Sequence, residues 1–316
     1  MNVFRNIDEL QQFNNAVITI GTFDGVHLGH QQIISRINQI AKDNAGESVI
    51  ITFHPHPRLV IQPDGQAVQL LSTPNEKIEL LKKYGVNNVV IIPFSRDFSE
   101  QSAEHYIEHF LVKNFQPKHI VIGYDHKFGR DRKGDFTLLE KYKSQFGYTL
   151  EEINKQTLED ITISSTKIRH ALNEGEIEQA NELLGHAYTL SGIVIKGLQN
   201  GRKLGYPTAN IQPDEFNKLI PKKGIYAVRV RVDEQWYGGM LSIGFNPTFG
   251  GKHLSVEVNI LNFSREIYGQ RITLEFIQYI RDEKKFESME ALIKGIDGDK
   301  VVITTILQQH YKELGL

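Results

Sequence analysis

The stretch "GTFDGVHLGH", residues 21–30, follows directly on the apolar run "AVITI", residues 16–20. A short Val/Ile-rich run ending in glycine predicts a buried strand, and "HQQIISRINQIAK" from His30 onward carries apolar residues at helical spacing. The stretch is therefore a strand-to-helix junction, and it holds three glycines, two histidines and an aspartate. A helix N-terminus leaves backbone N–H groups unpaired and carries partial positive charge, so it binds phosphate readily. Gly21 and Gly25 let the backbone approach a ligand closely, and His27 and His30 share a face once the helix has begun. Two imidazoles there can donate hydrogen bonds to phosphate oxygens and stabilise charge developing on them. The plain alternative is a histidine-containing turn with no ligand; the agreement of strand, glycines and both histidines favours phosphate.

Working outward, "SVIITF", "NNVVIIPF" and "HIVIG" read as further buried parallel strands. Between them lie the helical patterns "TPNEKIELLKKYG" and "SAEHYIEHFLVKNF", the first ended by Gly85 and the second capped by Ser102. Strands alternating with helices predict a doubly wound parallel α/β sheet, whose ligands sit beyond the carboxyl ends of the strands. The helical pieces "SSTKIRHALNEGE" and "IEQANELLG" follow, and after Gly185 the character changes. "YTLSGIVIKG", "GIYAVRVRVD", "QWYGGMLSIG", "LSVEVNILNF" and "RITLEFIQYI" predict a small antiparallel barrel or sandwich, with helical patterning from about Ser288 to the end. The expected domains are 1–184 and 185–316, with the boundary near 184–187.

Composition bounds the partners. A chain of 316 residues suits two cores. A net charge of −2 argues against a dedicated nucleic-acid binder. The absence of cysteine removes disulfides, thiolate nucleophiles and cysteine zinc sites together and fits a cytoplasmic protein. No run of about 18 apolar residues occurs, so no membrane span is expected. Oligomeric state is not legible.

"GTFDGVHLGH" resembles the nucleotide-binding signature of the nucleotidylyltransferase superfamily, with His27-Leu28-Gly29-His30 as its core. "ISSTKIR", residues 163–169, is similar to that superfamily's second signature. Ser164, Ser165 and Thr166 supply hydroxyls and a helix cap, and Lys167 and Arg169 supply cations for phosphates. "TFHPHP", residues 52–57, and "GYDHKFGRDRKGD", residues 123–135, resemble the bacterial flavin-adenylylating branch. The resemblance implies Gly21, Phe23, Asp24, Gly29, Asp125, Ser164, Ser165, Thr166 and Arg169 at ATP, His27 and His30 in catalysis, and His56 at the flavin.

"GLQNGRKLGYPTANI", residues 197–211, is no P-loop, yet Gly197, Gly201 and Gly205 make a backbone-rich loop able to wrap phosphates. Pro207 fixes the turn, while Thr208 and Asn210, two apart in an extended segment, offer hard oxygens on one face that suit Mg²⁺. "GRKLGYPTAN" resembles the riboflavin kinase signature, which adds Lys203 to the expected ATP-binding residues. "SVEVNIL" places Glu257 on a polar strand face, where the resemblance implies a base toward a flavin hydroxyl. "GFNPTFGG" resembles a second Asn-Pro-Thr loop, and "YIRDEKKF" a flavin cover with Arg281 and Phe286.

Both halves thus resemble the bifunctional bacterial riboflavin kinase/FAD synthetase family across essentially the whole chain. The resemblance implies riboflavin, FMN and ATP as substrates, FMN and FAD as products, and Mg²⁺ as cofactor. Two alternatives stand beside it. One is a monofunctional kinase with an inactive N-terminal domain, and the other a non-enzymatic flavin-binding module. Intact His27, His30, Ser165 and Arg169 argue against the first, and two nucleotide sites with a candidate base against the second.

Overall fold

The computed structural model describes residues 1–62, 68–153, 163–197, 201, 204–245, 254–313 and 315. Its chain divides into two compact units, Met1–Ser165 and Thr166–Leu316. The change of residue character at 184–187 falls two helices after this division.

The first unit is a six-stranded parallel sheet: β1 Asn2–Phe4, β2 Val17–Ile20, β3 Ser48–His54, β4 Asn88–Pro93, β5 His119–Gly123 and β6 Thr149–Ile153, in the order β1-β4-β3-β2-β5-β6. Strand residues alternate between two cores. Val17, Ile50, Val89 and Val121 pack on α1 (Leu28–Asp43) and α2 (Pro74–Lys83). Ile18, Ile51, Val90 and Ile120 pack on α3 (103–115) and α4 (Phe136–Phe146). The expected punctuation is present: Ser102 accepts the amide of His105, and Gly85, at φ +77°, follows the end of α2. Helix α2 also opens on a reciprocal capping box of Thr73 and Glu76 that sequence reasoning did not name. Within α3, Tyr106–Val112 runs in π-helical register, a tightly local departure from the expected α-helix.

Strand order sets the position of the site. The chain builds from β2 to β3 and β4 on one side, then resumes on the other side of β2 with β5 and β6. The crevice outside the carboxyl ends of β2 and β5 is therefore the topological switch point, where open α/β sheets take ligands. "GTFDGVHLGH" leaves β2 there, and "GYDHKFG" leaves β5 there.

The second unit opens with α5 (Ser165–Glu174, its first residue closing the first unit) and α6 (Ile177–Leu184). It continues into a closed antiparallel barrel of β7 Tyr188–Ile195, β8 Ala209–Pro213, β9 Gly224–Val232, β10 Gln235–Phe245, β11 Leu254–Ile260 and β12 Arg271–Arg281. The strand order is β10-β11-β8-β7-β12-β9, and closure leaves no edge unpaired. One helix, α7 (Met289–Glu313), takes up the helical patterning at the end of the chain, and its Ile303 and Leu307 bury against Ala227 and Met240 on the barrel wall.

Candidate active sites

The β2–α1 junction is strained at two non-glycine residues. Phe23 has φ +46° and Val26 φ +42°, and both are buried. A β-branched residue in the left-handed region is rare, and such strain gathers at functional sites. What holds the turn is Asp24, which is 2% exposed. Its carboxylate accepts the amides of Leu71 and Ser72, each at 3.0 Å, while the Gly25 amide donates to the Ser72 hydroxyl at 2.9 Å. Asp24, expected among the ATP-binding residues, is thus turned into the protein as the anchor of this loop.

The turn delivers two histidines to the first residues of α1. His27 is the N-cap, its Nδ1 accepting the His30 amide at 3.4 Å, so a neutral His27 carries its proton on Nε2. The two rings stack with centroids 3.7 Å apart and planes 15° apart, and the Phe23 ring lies 5.0 Å from His30. Burial, with His27 and Lys77 nearby, holds the His30 pKa well below 6.5. The uncharged His30 imidazole, beside the N-cap His27 at the start of α1, can donate to phosphate without carrying charge of its own. Gly21 borders the same space: a Cβ there would come within 3.1 Å of the Phe23 ring.

Sequence reasoning passed over Lys77 and Thr52. Lys77 is 8% exposed and donates to the Thr22 carbonyl at 2.6 Å and the Thr52 hydroxyl at 3.1 Å. Thr52 donates to the same carbonyl at 3.0 Å. Burial lowers the Lys77 pKa to about 8, against the opposing charge of Asp24. The available signal was a lysine one turn inside a helix N-terminus, where a cation opposes the macrodipole.

On the β5 side, Asp125 is exposed just past Gly123, and the next residue, His126, is held at a pKa of about 4, chiefly by burial. Among the described residues its Nε2 is buried without a hydrogen-bond partner. Phe128 stacks on Tyr106 of α3 at 4.9 Å and fills the space a side chain at Gly134 would need. His56 caps the short helix Pro57–Ile61 by accepting the Arg58 amide at 3.2 Å. The Ser164–Arg169 cluster opens α5 at the division between the units, with Ile168 fully buried, Ser164, Thr166 and Lys167 exposed, and Ser165 and Arg169 half-buried.

In the barrel, antiparallel pairing sets Asn210 of β8 directly across from Glu257 of β11. Thr208 donates its hydroxyl to Glu257 Oε2 at 3.1 Å, so Thr208, Asn210 and Glu257 share one polar face, as alternation along both strands requires. Gly197 is required here because a Cβ would collide with the Asn210 side-chain amide, and at Gly201 a Cβ would collide with the Tyr206 carbonyl. Gly205 has φ +81° and Tyr206 closes the turn by donating its amide to Gly201 at 2.8 Å. The Pro207 carbonyl accepts from Asn259 at 2.8 Å. Lys203 and the "NPTFGG" segment lie outside the described residues.

Arg281 pairs with Asp299 of α7 through Nε at 2.9 Å and Nη2 at 2.6 Å, both side chains being less than one-fifth exposed. Phe286 lies 5.9 Å from Arg281 and packs where a side chain at Gly295 of α7 would stand. Tyr206 donates to Asp297 of the same helix. The sequence signal for these acidic partners was "GIDGD", two glycines and two aspartates inside an otherwise helical run.

Comparison with known proteins assigns both halves. The FAD synthetase family profile matches residues 9–167, and the riboflavin kinase profile matches 184–307. A bifunctional riboflavin kinase/FMN adenylyltransferase of Listeria monocytogenes is 42% identical over 288 residues, covering 90% of each chain. The chain belongs to the bifunctional riboflavin kinase/FMN adenylyltransferase family. A second member, from Bacillus subtilis, is 36% identical over 289 residues, again covering 90% of each chain. A solved structure described as a macrolide-efflux protein from Streptococcus pneumoniae is 30% identical and superposes with a TM-score of 0.82, covering 96% of this chain and 98% of that one. Among the described residues of this chain, no helix is long and apolar enough to cross a membrane.

Proposed function

We propose that the family's two reactions run at two separate sites, one at the switch point of the parallel sheet and one on the polar face shared by β8 and β11. The chain phosphorylates riboflavin to FMN with ATP, and adenylylates FMN to FAD with ATP, releasing pyrophosphate. The observation carrying the residue roles is the Thr208–Glu257–Asn210 face, which puts a carboxylate beside two hard oxygen donors.

At the barrel site Glu257 accepts the proton of the riboflavin hydroxyl as its oxygen attacks the γ-phosphorus of ATP. Thr208 fixes Oε2, which leaves Oε1 to take the proton. Thr208 and Asn210 also fit a magnesium ion. A threonine hydroxyl can donate to Glu257 and still offer a lone pair, and Gly197 keeps the Asn210 amide uncrowded. Among the described residues no group of three His, Asp or Glu could hold a metal alone, which suits an ion that brings phosphate and water ligands with it. Bound Mg²⁺ would offset the charge that collects on the phosphate oxygens. The Gly197–Gly205 loop wraps those phosphates with backbone, and Arg281 and Phe286 cover the flavin.

At the sheet site an FMN phosphate oxygen attacks the α-phosphorus of ATP, and the bond to pyrophosphate breaks. The nucleophile is already an anion, so no base is needed. His27 and His30 donate to phosphate oxygens, helped by the amides that open α1, while Ser164, Ser165, Thr166 and Arg169 contact the leaving pyrophosphate. Asp125 meets the nucleotide and His56 the flavin. Positioning and charge stabilisation do the work at both sites. A chain without cysteine that consumes ATP suits the cytoplasm. Incubation with riboflavin, ATP and Mg²⁺, followed by separation of FMN from FAD, tests the scheme. Both products should appear, FMN first; FMN alone would contradict the sheet site.

A further inference from the structure

Lys77 occupies a place that nothing local favours. It lies one turn inside α2, where the helix dipole opposes a cation, and it is buried. Its ammonium has three N–H groups. Two are used, on the Thr22 carbonyl and the Thr52 hydroxyl, and both acceptors are neutral. Asp24 is the carboxylate facing it, but that group accepts the amides of Leu71 and Ser72. The other titratable groups around it are His27 and His30 at the start of α1, and Glu76 on its own helix, which accepts the Thr73 amide at 2.8 Å. Among the described residues Lys77 makes no ion pair. The Asp24 charge eases this burial only in part, since burial still lowers the Lys77 pKa to about 8; the remaining cost is offset when a further anion comes close.

The geometry beside it shows what that anion does. Thr22 joins β2 to the strained Phe23, and its carbonyl is fixed by two donors, Lys77 and Thr52. We propose that Lys77 is a positioning residue for adenylyl transfer: it fixes the Thr22 carbonyl, and with it the turn that presents His27 and His30, and the ATP phosphates complete the balance of its buried charge that Asp24 begins. This rests on the reading that the β2–α1 junction holds those phosphates. Two consequences follow. The ammonium destabilises the unliganded protein while speeding the reaction. And ATP use by the sheet site falls as Lys77 loses its proton, at a pH where His30 is already neutral and ATP is fully ionised.

The experiment uses the full-length chain as wild type, Lys77→Met, Lys77→Arg and His30→Ala. FAD formation from supplied FMN is followed from pH 7 to 9.5 as kcat/KM for ATP, with riboflavin phosphorylation in the same preparations as the control. Thermal unfolding is measured at pH 7 without nucleotide. With Lys77 titrating at about 8, wild-type kcat/KM should fall about tenfold for each pH unit above that value. Lys77→Met should be at least tenfold slower at pH 7, show no such fall, and unfold at a higher temperature than wild type. Lys77→Arg keeps its charge and should also show no fall. A Lys77→Met protein that keeps the wild-type pH slope, or unfolds at a lower temperature, overturns the proposal and leaves Lys77 a structural residue. If instead His30→Ala makes FAD at the wild-type rate, the reading of the junction itself fails, and the proposal with it.

Discussion

Glu257 and His30 carry the two roles proposed above, and they differ in what their removal should do. Glu257→Gln keeps shape and the hydrogen bond from Thr208 but cannot take a proton. The kinase rate at saturating substrates should drop by about 10² to 10⁴, with little change in flavin affinity. Steady-state kinetics reads this directly, and a rate within about threefold of wild type would leave the carboxylate without a catalytic role. His30→Ala removes a donor whose hydrogen bond strengthens as charge moves onto pyrophosphate, and FAD formation should slow about a hundredfold. His126 gives a pH prediction. Its folded pKa of about 4 lies below the unfolded value near 6.5, so between those values the unfolded chain binds the proton that the folded one excludes. Stability therefore falls as pH drops from 6.5 toward 4. His126→Phe should flatten that slope in urea unfolding monitored across the range; an unchanged slope would assign it to other groups.

At the scale of elements, the β2–α1 turn trades stability for placement. Val26 is held at φ +42°, a strain on the order of 1–3 kcal/mol for a β-branched residue. Val26→Gly should relieve it, raising the thermal midpoint of unfolding, while FAD formation slows because the turn no longer locks the histidines. A variant less stable than wild type would show that burial of the valine outweighs the strain. This turn also marks the limit of what sequence can say. Its position was legible because β2 is rich in Val and Ile and α1 has a clear apolar stripe. The roles within it were only partly legible, since whether Asp24 faces a ligand or the amides of residues 71 and 72 is decided by a loop distant in sequence. Strands β1 and β6 were missed for a similar reason. "NVF" is too short to show a period, and "TLEEI" is half polar because its Glu151 pairs with Arg36 at 2.7 Å across the sheet edge. β8 was legible only as the extended segment carrying Asn210 within a glycine-rich motif, and not as a strand of the barrel.

At the scale of the whole molecule, the division at Ser165/Thr166 assigns α6 to the barrel's unit. Its Ile177, Ala180 and Leu184 are fully buried, and Asn181 both donates to the Phe276 carbonyl at 2.8 Å and accepts the Tyr188 amide at 2.7 Å. A change in residue character finds where strands begin, and cannot find the helices that pack on them. A fragment spanning 166–316 should fold, make FMN and make no FAD. One spanning 185–316, the boundary suggested by composition, should unfold at a distinctly lower temperature, having exposed that apolar face; equal melting of the two would make α6 dispensable.

On the proposed scheme, two independent sites on one chain carry out the two steps. The most direct measurement takes His30→Ala and Glu257→Gln, each in the full-length chain, and assays riboflavin phosphorylation and FAD formation from supplied FMN on the same preparation. Each variant should lose one half-reaction and keep the other at the wild-type rate, His30→Ala losing FAD formation and Glu257→Gln losing FMN formation. Loss of both half-reactions in either variant, or of neither in both, would contradict it.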